Sequence, residues 1–116
     1  MDSKEIVAGL MQELRRGSLI LLVLSALKKP AYGYNLIKVL EENGVPMETN
    51  TLYPLLRRLE GQGLLQSEWE TSEAKPRKYY ALTALGAEVL ESAKTKWYEF
   101  QSKVNTVLED GNEVKS

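Results

Sequence analysis

The sequence predicts a mainly α fold with a small β-hairpin, a winged helix-turn-helix followed by a long C-terminal helix. Three observations carry this. Apolar residues recur at helical spacing in three stretches before residue 62. Two segments beyond it, Leu65–Glu70 and Arg77–Leu82, alternate with the period of two that a half-buried strand requires. Helical spacing then resumes for roughly 25 residues. The order helix, helix, helix, hairpin, helix is that of a winged helix-turn-helix.

The first helix opens with Asp2 and, three residues on, Glu5, the pattern of a capping box. Ile6, Leu10, Leu14 and the apolar run Leu19–Leu27 continue one stripe, interrupted in propensity only by Gly17. Lys28, Lys29 and Pro30 end it, because proline pushes the preceding residue out of the helical region. Leu36, Ile37 and Leu40 mark a short second helix stopped at Asn43-Gly44, and Val45–Glu48 is linker. The third helix is expected to start at Asn50 or Thr51, both good N-caps, and to run through Leu52, Leu55, Leu56 and Leu59 to Gly61-Gln62-Gly63. Pro54 is then placed in the first turn, where a missing N–H is tolerated. Thr71–Pro76 closes the hairpin. Thr83 caps the final helix, whose apolar positions are Leu85, Val89, Ala93, Trp97, Val104 and Leu108. Residues 1–82 are thus expected to form the winged helix-turn-helix, 83–109 a dimerisation helix and 110–116 a flexible tail.

Inventory excludes much chemistry. The 116 residues include no His and no Cys, which removes thiolate and imidazole nucleophiles or bases, zinc fingers and disulfides. No glycine-rich phosphate loop or metal-ligand spacing is present, so an enzyme, a cofactor and a metal site are not expected. The longest apolar run is far shorter than the roughly 20 residues that span a bilayer, so no membrane partner is expected. Asp2 and Glu5 in the first turn do not fit a signal peptide, and the expected location is cytoplasmic. The 15 Lys+Arg balance 16 Asp+Glu to a net charge of −1, so a case for a nucleic-acid partner rests on local clusters.

Two such clusters exist. On the third helix Thr49, Asn50, Thr51 and Tyr53 gather at the end that would enter a DNA groove, with Arg57 and Arg58 one turn on and the four leucines behind. In the hairpin, Lys75, Arg77 and Lys78 stand within four residues with no acid between them, an economical site for phosphate contact. Lys38, Arg15 and Arg16 could add backbone contacts. The bland alternatives are that Asn50 or Thr51 caps, that Tyr53 packs, and that the wing charges protect a sheet edge. Winged helices also serve as protein-interaction modules, and a near-zero net charge suits that alternative function.

The last helix, at about 1.5 Å per residue, would extend about 40 Å, too far for one small domain to cover. Trp97, Phe100, Val104 and Leu108 on its distal half therefore predict a twofold homodimer, the helix packing against the partner's first helix through Leu10 and Leu14, with Leu90 and Ala93 continuing the interface.

The run Asn50-Thr51-Leu52-Tyr53-Pro54-Leu55-Leu56-Arg57-Arg58-Leu59-Glu60, followed by Gly63-Leu64-Leu65, Trp69, Arg77-Lys78-Tyr79-Tyr80-Ala81-Leu82-Thr83 and Gly86, resembles the PadR family of winged-helix transcriptional regulators. Gly17-Ser18-Leu19 and Tyr32-Gly33-Tyr34 fit the same pattern. The resemblance implies a homodimeric regulator of double-stranded DNA, mostly a repressor, with a small aromatic or lipophilic effector in many members. In short members that bind drugs, a tryptophan matching Trp97 stacks planar ligands in a pore between subunits, and Ile20 would line that pore. Trp97 as plain interface core remains the alternative. Lys94 and Gln101, one turn either side of Trp97, make the implied pore more polar. Asn50 stands where the family often has a small residue, a departure that bears on which operator bases are preferred.

Overall fold

In the computed structural model, which describes residues 1–109, the elements are α1 (Ser3–Ala26), β1 (Ala31–Tyr32), α2 (Gly33–Glu42), α3 (Thr49–Gly61), β2 (Leu65–Glu70), β3 (Arg77–Leu82) and α4 (Ala84–Glu109). The expected tail, 110–116, lies outside the described residues. The Asp2 side chain accepts from the Glu5 N–H at 2.9 Å, and α1 runs unbroken through Gly17. Val23 and Leu24 at its buried end, with Leu27 just after it, meet Leu36 and Leu40 of α2, the α3 leucines and Leu65 in one core. Gly44 and Gly63, at φ 79° and 80°, turn the chain out of α2 and α3 in the left-handed region that glycine enters freely.

The hairpin has the expected strands, with Leu65 opposite Leu82 and Glu70 opposite Arg77. It is one part of a three-stranded antiparallel sheet, ordered β1-β3-β2, because Ala31 and Tyr32 pair with Tyr80 and Tyr79. Two residues are too few to carry an alternation, so β1 left no pattern in the sequence.

The start of α3 differs from expectation. The N-cap position belongs to Glu48, whose backbone carbonyl accepts from Thr51 and Leu52 while its side chain caps nothing. Asn50 and Thr51 are inside the helix with exposed side chains, so neither caps it. Pro54 consequently lies in the second turn, where its missing N–H deprives the Asn50 carbonyl of its i+4 donor.

Thr83 caps α4 as expected, its hydroxyl accepting from the Gly86 N–H at 2.9 Å and donating to the Gly63 carbonyl at 2.6 Å. A Cβ at Gly86 would collide with the Leu64 carbonyl, so only glycine lets α4 lie this close to the sheet. Leu90, expected at a dimer interface, is only 2% exposed within its own chain and has almost no surface left for a partner. It belongs to the first two turns of α4, which close the core. Farther along, α4 lies beside its own α1, so the helix pairing expected only between subunits is made first within one chain. Among the described residues, no helix is long and apolar enough to cross a membrane.

Candidate nucleic-acid interface

α3 buries Leu52, Leu55, Leu56 and Leu59 and turns the rest of its surface outward. Thr49, Asn50, Thr51, Arg57 and Arg58 are exposed. Their polar groups are free of capping duty because Glu48 occupies the cap position. Tyr53 is half-buried against the core, with its ring over the backbone of Gly33 at the start of α2.

Between α3, the α2 N-terminus and the wing runs an open cleft. It brings together Tyr53 and Arg57 from α3 and Arg77 and Lys78 from β3, along with Tyr32, Tyr34, Trp69 and Tyr80. No carboxylate lines it, although the whole chain is net acidic. Three cationic side chains thus meet on one surface with aromatic faces between them, an arrangement suited to a phosphate backbone with its sugars. Thr49 and Asn50 do not line this cleft. Thr51 lies on a second one, shared with Arg15 and Arg16 of α1 and with Glu48. Lys38 is exposed on α2, outside both clefts.

The wing cations are not equivalent. Arg77 is committed inside the protein: its guanidinium donates to the Tyr34 hydroxyl at 2.9 Å and to Glu73 at 2.7 Å, and lies 4.7 Å from the centre of the Tyr32 ring. Tyr32 and Tyr34 are themselves parallel, with ring centres 6.0 Å apart. Lys78 is 3.8 Å from a carboxylate oxygen of Glu60 and within cation–π range of Trp69 and Tyr80. Lys75 sits at the exposed loop and, among the described residues, has no ion-pair partner, and the same holds for Lys38, Arg57 and Arg58. Of the three expected wing contacts, Lys75 is therefore the one whose charge is unspent. Burial first, then the Glu60 charge, pushes the Tyr80 phenol above its usual range, so it stays protonated at neutral pH.

Sequence reasoning did not find Tyr32 and Tyr34 as partners of Arg77, or Glu60 and Ser67 as partners across the wing. The Tyr-Gly-Tyr spacing was visible, but not that an arginine 43 positions away would lie against both rings. Glu60 belongs to the run that carries the family resemblance, but nothing in the sequence marks it as a partner of Ser67 and Lys78.

The expected effector and dimer residues separate into two places. Trp97, Phe100 and Val104 line a groove of about 580 Å³ with Leu14, Gly17 and Leu21 of α1, bounded by Glu13 and Gln101. Ile20 is not there; the turn of α1 aims it at Pro54, Leu55 and Arg58 instead, and Leu21 takes the place beside Trp97. Lys94 also stays out of the groove, lying 3.4 Å from Glu91. Leu10 and Leu14 on α1 and Phe100 and Leu108 on α4 are all more than half exposed, while Ala93 is partly covered.

Over residues 20–92 the chain matches the transcriptional regulator PadR-like family. It is similar to the crystal structure of a PadR family transcriptional regulator from Eggerthella lenta, at 52% identity and a TM-score of 0.88, covering 91% of this chain and 95% of that one. A PadR family transcription regulator from Clostridium difficile aligns at 32% identity with a TM-score of 0.73, over 78% of this chain and 98% of its own. A transcriptional regulator of Mycobacterium tuberculosis is 32% identical over 95 residues, 81% of this chain and 89% of that protein.

Proposed function

Because the chain belongs to the PadR-like family of transcriptional regulators, a family of DNA-binding proteins and not of enzymes, we propose that it is a homodimeric repressor of a palindromic operator. In this reading α3 enters the major groove with Thr49, Asn50 and Thr51 toward base edges. Arg57 and Lys75 meet phosphates, and Lys38 adds a backbone contact from α2. Arg77 shapes the surface from within. The observation that carries the reading is that Arg57 and Arg58 on α3, Lys75 in the wing loop and Lys38 on α2 are exposed with no ion-pair partner among the described residues, in a chain whose total charge is −1.

Dimerisation would place two such surfaces about one DNA turn apart, and the exposed apolar residues of α1 and α4 support it. A small aromatic effector beside Trp97 would release DNA only by favouring a dimer geometry whose recognition helices miss the half-site spacing, since equal affinity for both geometries shifts nothing.

The decisive experiment is a salt series. Wild-type protein selects a duplex from a random pool, and binding to that duplex is followed from low to high salt. The expected log–log slope is steep, about −0.9 per phosphate contacted, and Lys75→Ala should lessen it by roughly one per subunit. A flat slope would replace this reading with a protein-interaction module.

A further inference from the structure

Glu60 is an acid next to a surface suited to a polyanion, and its contacts explain what it does there. It ends the exposed side of α3 and reaches both long strands of the wing. One carboxylate oxygen accepts from the Ser67 hydroxyl on β2 at 2.6 Å, and the other lies 3.8 Å from the Lys78 ammonium on β3. The two strands meet there in register, Ser67 opposite Tyr80 and Trp69 opposite Lys78. Lys78 is steadied on its other sides by the rings of Trp69 and Tyr80, at 5.7 and 5.9 Å. Glu60 and Lys78 are each about one-third exposed, so this bridge is partly withdrawn from water and less screened than a surface pair.

We propose that Glu60 is a positioning residue that locks the wing to the recognition helix and so sets DNA specificity. The inference rests on the DNA-binding reading above. Binding to a matched site requires α3 and the wing to fit the duplex together, so a wing free to drift loses matched contacts first. Binding to unmatched DNA needs only charge, which a loose wing still supplies. The carboxylate also holds Lys78 away from phosphate and contributes its own repulsion, both of which keep unmatched binding low. Arg77, tied to Tyr34 and Tyr32, secures the far end of β3 to α2, so among the described residues Glu60 is the polar side-chain link to α3, added to the core packing of Leu65 and Tyr80.

The test uses full-length protein, the duplex selected by wild type and a random-sequence duplex of equal length. Glu60→Ala removes both contacts. It should weaken binding to the selected duplex roughly tenfold while binding to the random duplex stays level or tightens. Glu60→Gln keeps an acceptor for Ser67 but loses the charge. It should hold the selected-duplex affinity within about threefold, tighten random-duplex binding, and steepen the salt slope by roughly one per subunit as Lys78 takes a phosphate. Ser67→Ala should shift the ratio of the two affinities in the direction of Glu60→Ala. If the Glu60→Ala and Glu60→Gln proteins, folded by circular dichroism, keep the wild-type ratio, Glu60 is only a stabilising contact and the inference fails. If wild type selects no duplex, the DNA reading fails, and this inference with it.

Discussion

Gly33 has no room for a side chain. A Cβ there would lie 2.6 to 2.9 Å from the hydroxyl and ring atoms of Tyr53, and Tyr53 is half-buried with the core behind it. The tyrosine ring therefore works as a spacer between α2 and α3, and glycine is what lets the helices approach. Gly33→Ala should push the ring outward and destabilise the fold by about 1–3 kcal/mol, the range for overpacking, as measured by denaturant unfolding. Tyr53 was open to two readings in the sequence, a groove contact or a packing residue, since its period falls between the buried leucines and the exposed face, and the structure packs it against the core. Arg77 shows the same limit from the charged side. Its charge was plain in the sequence, whereas its hydrogen bond to Tyr34 and its pair with Glu73 depend on a fold that brings β3 over the start of α2. A cluster of cations in a sequence counts charges; only the fold says which are already matched.

Among the elements, α3 carries a cost that its sequence only partly disclosed. With the cap at Glu48, Pro54 stands in the second turn and removes one backbone hydrogen bond. Proline in a helix interior is unfavourable by about 3 kcal/mol relative to alanine, less near an end, so Pro54→Ala should stabilise the protein by about 1 kcal/mol. Thermal unfolding would check this, and an unchanged or lower Tm would mean the proline is accommodated without loss. The two strands of the wing were legible to the residue because alternation and flanking turn residues agreed, and Asn43-Gly44, Gly63 and Thr83 marked boundaries by chemistry that admits few substitutes. The α3 cap was misplaced by two or three residues because Asn50 and Thr51 are both acceptable caps, and a polar residue that caps looks the same in sequence as one held out to solvent. β1 was invisible for a different reason: its pairing is supplied by β3, and its two residues contribute no pattern of their own.

At the scale of the whole molecule, the core is finished by residue 90 while α4 continues to Glu109. Beyond Leu90 the helix carries Trp97, Phe100, Val104 and Leu108 at 40%, 60%, 36% and 73% exposure, the first three lining a groove with the exposed Leu14 of α1. So much apolar surface along two adjoining helices argues for a second copy of the chain, and Leu10, Leu14 and Phe100 are the contacts expected to bury most. Trp97→Asp places a charge in that contact, and sedimentation should show monomer or aggregate; an unaltered dimer would overturn the assignment. The same tryptophan tests for an effector. Stacking and burial against Trp97 could contribute a few kcal/mol, enough for about micromolar affinity once ordering costs are subtracted. Glu13, Ser18 and Gln101 are the polar residues of the groove and Glu13 is the charged one, so a planar cation is favoured over an anion. Planar cationic dyes should therefore quench tryptophan emission more strongly than phenolic acids do. Trp69, 62% exposed on the wing, contributes a background that persists in a conservative Trp97→Phe variant, and the quench attributable to Trp97 is the difference between the two proteins. If no compound produces that difference, Trp97 serves the interface alone and the regulator responds to no ligand at this groove.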